Sequence, residues 1–466
     1  MNKLLVIGLD SAGPDLVFER WWDDLPNLRR LAAEGIRGPL RSTIPPITVP
    51  AWAAMMTSQD PGQLGFYGFR NRRSYDYEDL ALANANSITA KTVWNHLSRH
   101  RRECLVFAVP QTYPPKPLRG TLVAGFLTPD KNAVFTHPPE AQAELDAAAG
   151  GEYIIDVKDF RTERKDWLLE QIYRMTRARF QAFRYFLSRG DYDFAMLVEM
   201  GPDRLQHGFW RYFDRGHRLY EPGNPYESAL HDYYVALDEE IGRTLEVMDR
   251  ADTSVLVVSD HGVKGMVGAI AVNEWLQREG YLCLREPPAA PTRLTADMID
   301  WDHTLAWGEG GYYSRLFLNV QGREPRGQIP PGAYHAVRDE IAAKLEAIVD
   351  ETGRNIGTRV FKPEECYRAV NNIPPDLIVY FGNLDWRAAG SVGVGSVYLY
   401  ENDTGPDDAN HAEDGLLLWR LPARRRRALP ARGRYSIYDV APSILTFFGI
   451  APPAEMIGQS LFRGDE

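Results

Sequence analysis

The chain has 466 residues, 44% hydrophobic and 25% charged, a balance typical of soluble globular proteins and long enough for one large α/β domain with insertions or two to three smaller ones. Lys and Arg total 53 against 63 Asp and Glu, a formal charge of −10; an acidic balance excludes the basic face of a nucleic-acid scaffold. No apolar run approaches the roughly 18 residues of a membrane span, so a channel is excluded, as are collagen, coiled coil and wholesale disorder.

The first apolar run, residues 4–9, breaks at Gly8 and Asp10. It is too short for a secretory leader and reads as the first strand of a cytoplasmic protein. Similar runs at 104–109, 194–198, 254–258, 316–320 and 376–381 are rich in Val, Ile and Leu, as strands buried on both faces are. Between them, 25–34, 167–187 and 226–249 carry apolar residues at helical spacing. Strands alternating with helices predict βαβ units, and hence a three-layer α/β sandwich with a mainly parallel central sheet. Residues 1–275 and 400–466 are expected to form this core. Residues 276–399 are expected to form an irregular cap, with the runs near Leu316 and Asp376 returning to the core sheet. Two stretches read as insertions: 286–310, with Pro287, Pro288 and Pro291, and 383–410, rich in Gly, Asn and Asp. The arginines at 424–427 read as a solvated face or a guide for an anionic substrate. Cys104, Cys283 and Cys366 are far apart and odd in number. They fit small buried hydrophobes in a reducing compartment, not a disulfide framework or zinc knuckle.

Ligands in open α/β sheets sit beyond the carboxyl ends of the strands. Three expected strands end there in metal-binding residue types. The first ends in Asp10. The third runs into Gly201-Pro202-Asp203, with His207 one helical turn further on, so both side chains can reach one ion. The fourth ends in Ser259-Asp260-His261-Gly262, and His411 follows late in the chain. Three Asp and three His are too many for one tetrahedral zinc and suit two ions; carboxylate with imidazole selects zinc, manganese or iron. The remaining histidines, His96, His100, His137, His217, His231, His303 and His335, have no comparable setting. Near the N-terminus, Pro45 and Pro46 stiffen the approach to Thr48, and Pro50 can open a helix. Thr48 is therefore expected at a helix N-terminus, where unpaired amides and the dipole favour a phosphoryl group; the same position also suits a plain N-cap.

In this order, Asp10, Thr48-Val49-Pro50-Ala51-Trp52, Gly201-Pro202-Asp203 with His207, Ser259-Asp260-His261-Gly262 and His411 resemble the alkaline phosphatase superfamily. The chain looks most similar to its type I phosphodiesterase/nucleotide pyrophosphatase branch, in the subgroup of predicted phosphohydrolases or phosphomutases. Stretches 109–115, 319–325 and 438–445 add to the likeness. The resemblance implies an alkaline phosphatase-like core with two divalent ions, zinc first and manganese or iron as alternatives. Asp203, His207 and His411 would hold one. Asp10, Asp260 and His261 would hold the other, completed by Thr48 as nucleophile. The implied reaction cleaves phosphodiester or pyrophosphate bonds through a phosphothreonine, with overall retention at phosphorus. Ser11, in Asp10-Ser11-Ala12, stands as the alternative nucleophile, because it mimics the motif of alkaline phosphatases proper. A sulfatase is disfavoured because Thr48 cannot become formylglycine and Trp52 replaces the expected Arg.

The expected partner is a small phosphorylated substrate. A phosphomonoesterase or phosphomutase on the same scaffold would need an extra cation, for which Lys264 is a candidate. A diesterase would offer an apolar wall, for which Trp52, Phe66, Tyr67 and Phe69 are candidates. A non-catalytic binding protein that kept the fold is the third reading.

Overall fold

The computed structural model describes residues 2–248, 253–422 and 429–462; Asp249 and the arginines at 424–427 lie outside the described residues. Strands β1 (Lys3–Leu9), β3 (Cys104–Val109), β6 (Phe194–Glu199) and β7 (Thr253–Val258) are buried almost throughout, as uninterrupted apolar runs require. With β2 (Gly35–Arg41), β4 (Gly120–Ala124), β5 (Thr136–His137), and two late strands introduced below, they form one nine-stranded sheet. Its centre is β7-β1-β6-β3-β4, all parallel.

One helical layer contains α1 (Pro26–Ala33), α4 (Lys165–Arg189), α5 (Gly201–Phe213) and α6 (Ala229–Met248), packed against one another. The other contains α2 (Thr48–Thr57), α3 (Val93–Arg99) and α7 (Val440–Phe447). The sheet lies between them, as expected. Gly8 shows how closely α2 approaches: a Cβ there would sit 2.5 Å from the Trp52 ring and 2.8 Å from Val198, so only glycine lets Trp52 rest on the strand.

After β7 the chain forms β8 (Gly262–Gly265), which pairs antiparallel with β9 (Ala409–Ala412). Then β10 (Asp414–Arg420) re-enters the large sheet antiparallel to β7, pairing also with β2, and β11 (Tyr435–Ser436) adds to the edge beyond β2. The runs near Leu316 and Asp376 do not return to this sheet. They form Ser314–Leu318 and Leu377–Tyr380 of a separate four-stranded antiparallel sheet with Ala306–Glu309 and Arg359–Phe361, which corrects that expectation. Burial on both faces makes a run apolar without specifying which sheet buries it. Here the strands pack with Trp301, Trp307, Ile341 and Trp386 in an apolar cluster distinct from that of the core. The expected insertions also hold structure: Trp386–Ala389, for example, pairs in parallel with Gly268–Ala271.

Candidate active site

Sheet register brings the metal-type ligands together. In the β1–β7 pair Gly8 lies opposite Val258, so Asp10 and Asp260 leave the sheet at the same height, with His261 one residue further. In the β1–β6 pair Leu9 lies opposite Glu199, and β6 turns at once into α5. The turn is tight: the Gly201 amide donates to the Glu199 carboxylate at 2.7 Å, and a Cβ on Gly201 would meet the Tyr233 hydroxyl at 1.8 Å. Asp203 and His207 then face the same edge one turn apart. Antiparallel pairing sets His411 opposite Val263, two residues beyond His261.

All six side chains are buried. His207 Nε2 lies 3.2 Å from Asp203 Oδ1 and 3.3 Å from His411 Nε2, and His411 Nε2 lies 3.8 Å from the same Asp203 oxygen. His261 Nε2 lies 3.2 Å from Asp260 Oδ2 and 3.8 Å from Asp10 Oδ1. The two trios touch, because the His261 and His411 rings stack at 3.8 Å. Each imidazole is oriented through Nδ1: His207 toward Asp407 Oδ1 at 2.8 Å and the Ala409 carbonyl at 3.1 Å, His261 toward the Gly262 carbonyl at 3.0 Å, and His411 toward the Pro46 carbonyl at 2.8 Å. A carbonyl only accepts, so Nδ1 carries the proton and a neutral ring presents its Nε2 lone pair inward.

The carboxylates complete a cation-shaped arrangement. Asp10 Oδ1, Asp203 Oδ1 and Asp260 Oδ2 are buried with no hydrogen-bond partner among the described residues, while Asp10 Oδ2 accepts from the Trp52 indole at 2.6 Å. Burial pushes Asp10 and Asp260 well above the usual carboxylate range, and neighbouring carboxylate charge adds to it. Burial opposes the charge on Asp203 too, but His207 and Arg204 outweigh it and hold Asp203 low. Burial likewise opposes a charged His207; Asp407 and Asp203 overcome it and raise that ring to about 9. His261 falls to about 4 by burial, and His411 drops well below its usual range by burial and its two neighbouring imidazoles. Three unpartnered carboxylate oxygens facing imidazole nitrogens are costly when bare and fit divalent cations.

Thr48 begins α2 and is 3% exposed. Its Oγ1 lies 3.4 Å from His261 Nε2, and with Asp203 and His411 it lines a cleft of about 1070 Å³. Ser11 is placed differently. Its hydroxyl donates to the Gly262 carbonyl at 3.3 Å, its amide donates to Asp260, and it is not among the cleft's lining residues. Lys264 is bound by the Asp385 carboxylate and the Asn383 carbonyl. Of the four aromatic wall candidates, Phe69 lines the cleft; Trp52, Phe66 and Tyr67 are core residues. Among the described residues, the ligand atoms that lie mutually close form two groups that share His261, one of Asp203, His261 and His411 and one of Asp10, Asp260 and His261; His207 joins the first through Asp203 and His411, and none of the remaining histidines belongs to either.

Several cleft residues were not foreseen. Arg204 binds Asp156 through two nitrogens at 3.1 and 3.0 Å and Asp203 Oδ2 at 2.6 Å, between the rings of Phe126 and Phe160. Arg161 donates to Asp407 Oδ2 and to the Tyr312 hydroxyl. Asp407, four residues before His411, was the most accessible signal: an acidic residue beside a candidate ligand.

A three-layer α/β sandwich bearing a carboxylate–imidazole cluster at the carboxyl edge of its sheet is the architecture of the alkaline phosphatase superfamily. The chain belongs to the type I phosphodiesterase/nucleotide pyrophosphatase family, whose model matches residues 4–407; His411 lies just past that span. Membership makes it a hydrolase of phosphoester bonds. Among curated proteins, none matches the sequence. The fold is similar to phosphonoacetate hydrolase from Sinorhizobium meliloti 1021 in complex with phosphonoacetate, at 15% identity and TM-score 0.62 over 96% of this chain and 95% of that one. It is also similar to murine ectonucleotide pyrophosphatase/phosphodiesterase 5, an inactive variant in complex with AMP, at 12% identity and TM-score 0.55 over 97% and 96%. Among the described residues no helix is long and apolar enough to cross a membrane.

Proposed function

We propose that the chain is a two-metal phosphodiesterase that transfers the phosphoryl group of a small diester or pyrophosphate to Thr48 and then to water. The observation that carries this reading is the convergence of three unpartnered carboxylate oxygens and three inward Nε2 atoms beside the Thr48 hydroxyl. Asp203, His207 and His411 would hold one divalent ion; Asp10, Asp260, His261 and Thr48 would hold the other. Zinc suits this donor set first, with manganese or iron next. When bound, the ions supply positive charge to the attacking and leaving oxygens of an in-line displacement.

Thr48 Oγ loses its proton and bonds to phosphorus as the bond to the leaving oxygen breaks; that oxygen takes up a proton. The N-terminus of α2 offers its amides and dipole to the phosphoryl oxygens. Water then attacks the phosphothreonine, the phosphorus–Oγ bond breaks, and Thr48 regains its proton. Two in-line displacements give net retention.

A diester is favoured over a monoester by the cations near the cluster. A monoester carries one more negative charge, yet Lys264 is turned to Asp385, Arg204 is held by Asp156 and Asp203, and Arg161 by Asp407. The cleft wall instead offers Phe69, Phe126 and Phe160 to a second ester group. Three free cysteines fit a reducing compartment such as the cytoplasm.

The test compares turnover of an aryl phosphodiester with the matching monoester and follows a phosphorus-chiral thio-diester. Faster diester turnover with retention is expected. Faster monoester turnover would move the chain to the phosphomonoesterase or phosphomutase reading, inversion would remove the phosphothreonine, and absence of turnover on both would leave a binding protein.

A further inference from the structure

Tyr312 is a cap residue, carried on the short connection between the cap strands Ala306–Glu309 and Ser314–Leu318. Besides packing against the apolar cluster that includes Ile47, Tyr67 and Tyr313, it touches the ligand cluster and its immediate supports. Its ring stacks on His207 with centroids 4.7 Å apart and planes 17° apart, and on His411 at 4.3 Å and 28°. Its hydroxyl lies 3.0 Å from Asp407 Oδ2, the carboxylate whose other oxygen orients His207, and also accepts from Arg161. Its backbone carbonyl accepts from the Asn410 side chain at 3.0 Å, the residue next to His411. One residue thus reaches both imidazoles of one trio by ring stacking, the His207 support by its hydroxyl, and the His411 strand through its backbone carbonyl.

This arrangement exceeds what filling space requires. Asp407 and the Pro46 carbonyl each fix one ring nitrogen, but a hydrogen bond at Nδ1 leaves an imidazole free to rock about that contact. His261 stacks on His411 alone, whereas the flat ring of Tyr312 lies against both imidazoles and limits that motion for the pair, whose Nε2 atoms are 3.3 Å apart. Stacking of this kind contributes modestly to stability, whereas disturbing the partners behind metal ligands typically costs about 10–100-fold in metal affinity.

We propose that Tyr312 is a positioning residue that holds His207 and His411 as a ligand pair, so that one ion-binding site of the core is complete only with this cap residue seated. The inference rests on the two-metal reading above. The test is cobalt(II) binding by metal-stripped wild type and variants, read by chelator competition and by the visible spectrum of the bound ion. Wild type should take up two ions. Tyr312→Ala should keep one with wild-type affinity and bind the other about 10–100-fold more weakly with an altered spectrum; Tyr312→Phe, which keeps the ring, should recover affinity to within a few-fold. Wild-type affinity and spectrum for both ions in Tyr312→Ala would overturn the proposal. Should that variant fail to fold, Tyr312→Leu, which keeps an apolar side chain but no flat ring, serves: it should weaken the same single ion, and wild-type binding there would overturn the proposal. A wild type that takes up no cobalt would instead overturn the two-metal reading itself, together with this inference.

Discussion

The carboxyl edge of the large sheet and the cap above it are built on different terms. At the edge, parallel register between fully buried strands fixes where side chains emerge: Gly8 opposite Val258 and Leu9 opposite Glu199 align Asp10, Asp260 and the start of α5. A one-residue slip would turn every buried side chain to the wrong face, so packing energy enforces the geometry of the ligands. The cap is an antiparallel sheet around its own apolar cluster. It gives the cleft Trp301, Trp307 and Tyr313, and sets one tyrosine against the core's imidazoles. The difference separates chemistry, held by register, from substrate choice, left to surfaces that vary without disturbing the sheet.

The largest expected effect breaks the chemistry and spares the scaffold. Thr48→Ala should lower turnover by at least about 10³-fold, as loss of a nucleophile does, with metal content changed little; surviving turnover would remove Thr48 from the reaction. Next, His411→Ala should remove or greatly weaken one of two ions without unfolding the core, and elemental analysis showing unchanged stoichiometry would reject its role.

A smaller effect depends on pH. Burial disfavours the His207 cation, but Asp407 and Asp203 hold it up to about 9 from an ordinary 6.5. In the metal-free protein the charged ring therefore stabilises the fold fully below 6.5, and that contribution is lost as pH rises through about 9. A ligand imidazole must be neutral, so metal uptake between these values expels a proton. Affinity for the ion at His207 should rise with pH toward about 9 and then level off; calorimetry in buffers of different ionisation enthalpy measures the released proton, and pH-independent affinity across that window would contradict the account. The smallest effect belongs to the cleft wall. Phe69→Ala should raise KM for a bulky aryl diester several-fold and leave that for a dimethyl-sized diester nearly unchanged; equal effects on both would deny Phe69 a role in substrate choice.

The central strands were legible because burial on both faces leaves uninterrupted apolar runs, and the candidate ligands Asp10, Asp260 and His261 because they sit directly at the ends of those runs. Gly35–Arg41 was not legible: two glycines and Pro39 interrupt it, and its partners Asp414–Arg420 and Tyr435–Ser436 lie almost four hundred residues away. Sheet membership was misread for the runs near Leu316 and Asp376, since apolar composition reports burial and not the partner. Asp407 and Tyr312 escaped for a related reason. Their roles exist only through contacts with His207 across 200 and 105 positions of chain, and neither lies in a periodic pattern.

The measurement that tests the central claim most directly is a metal count on the purified, active wild-type protein by elemental analysis. The account predicts two divalent ions per chain, with turnover lost on chelation and restored on reloading. Undiminished phosphodiester turnover by a protein holding less than one ion per chain would contradict it.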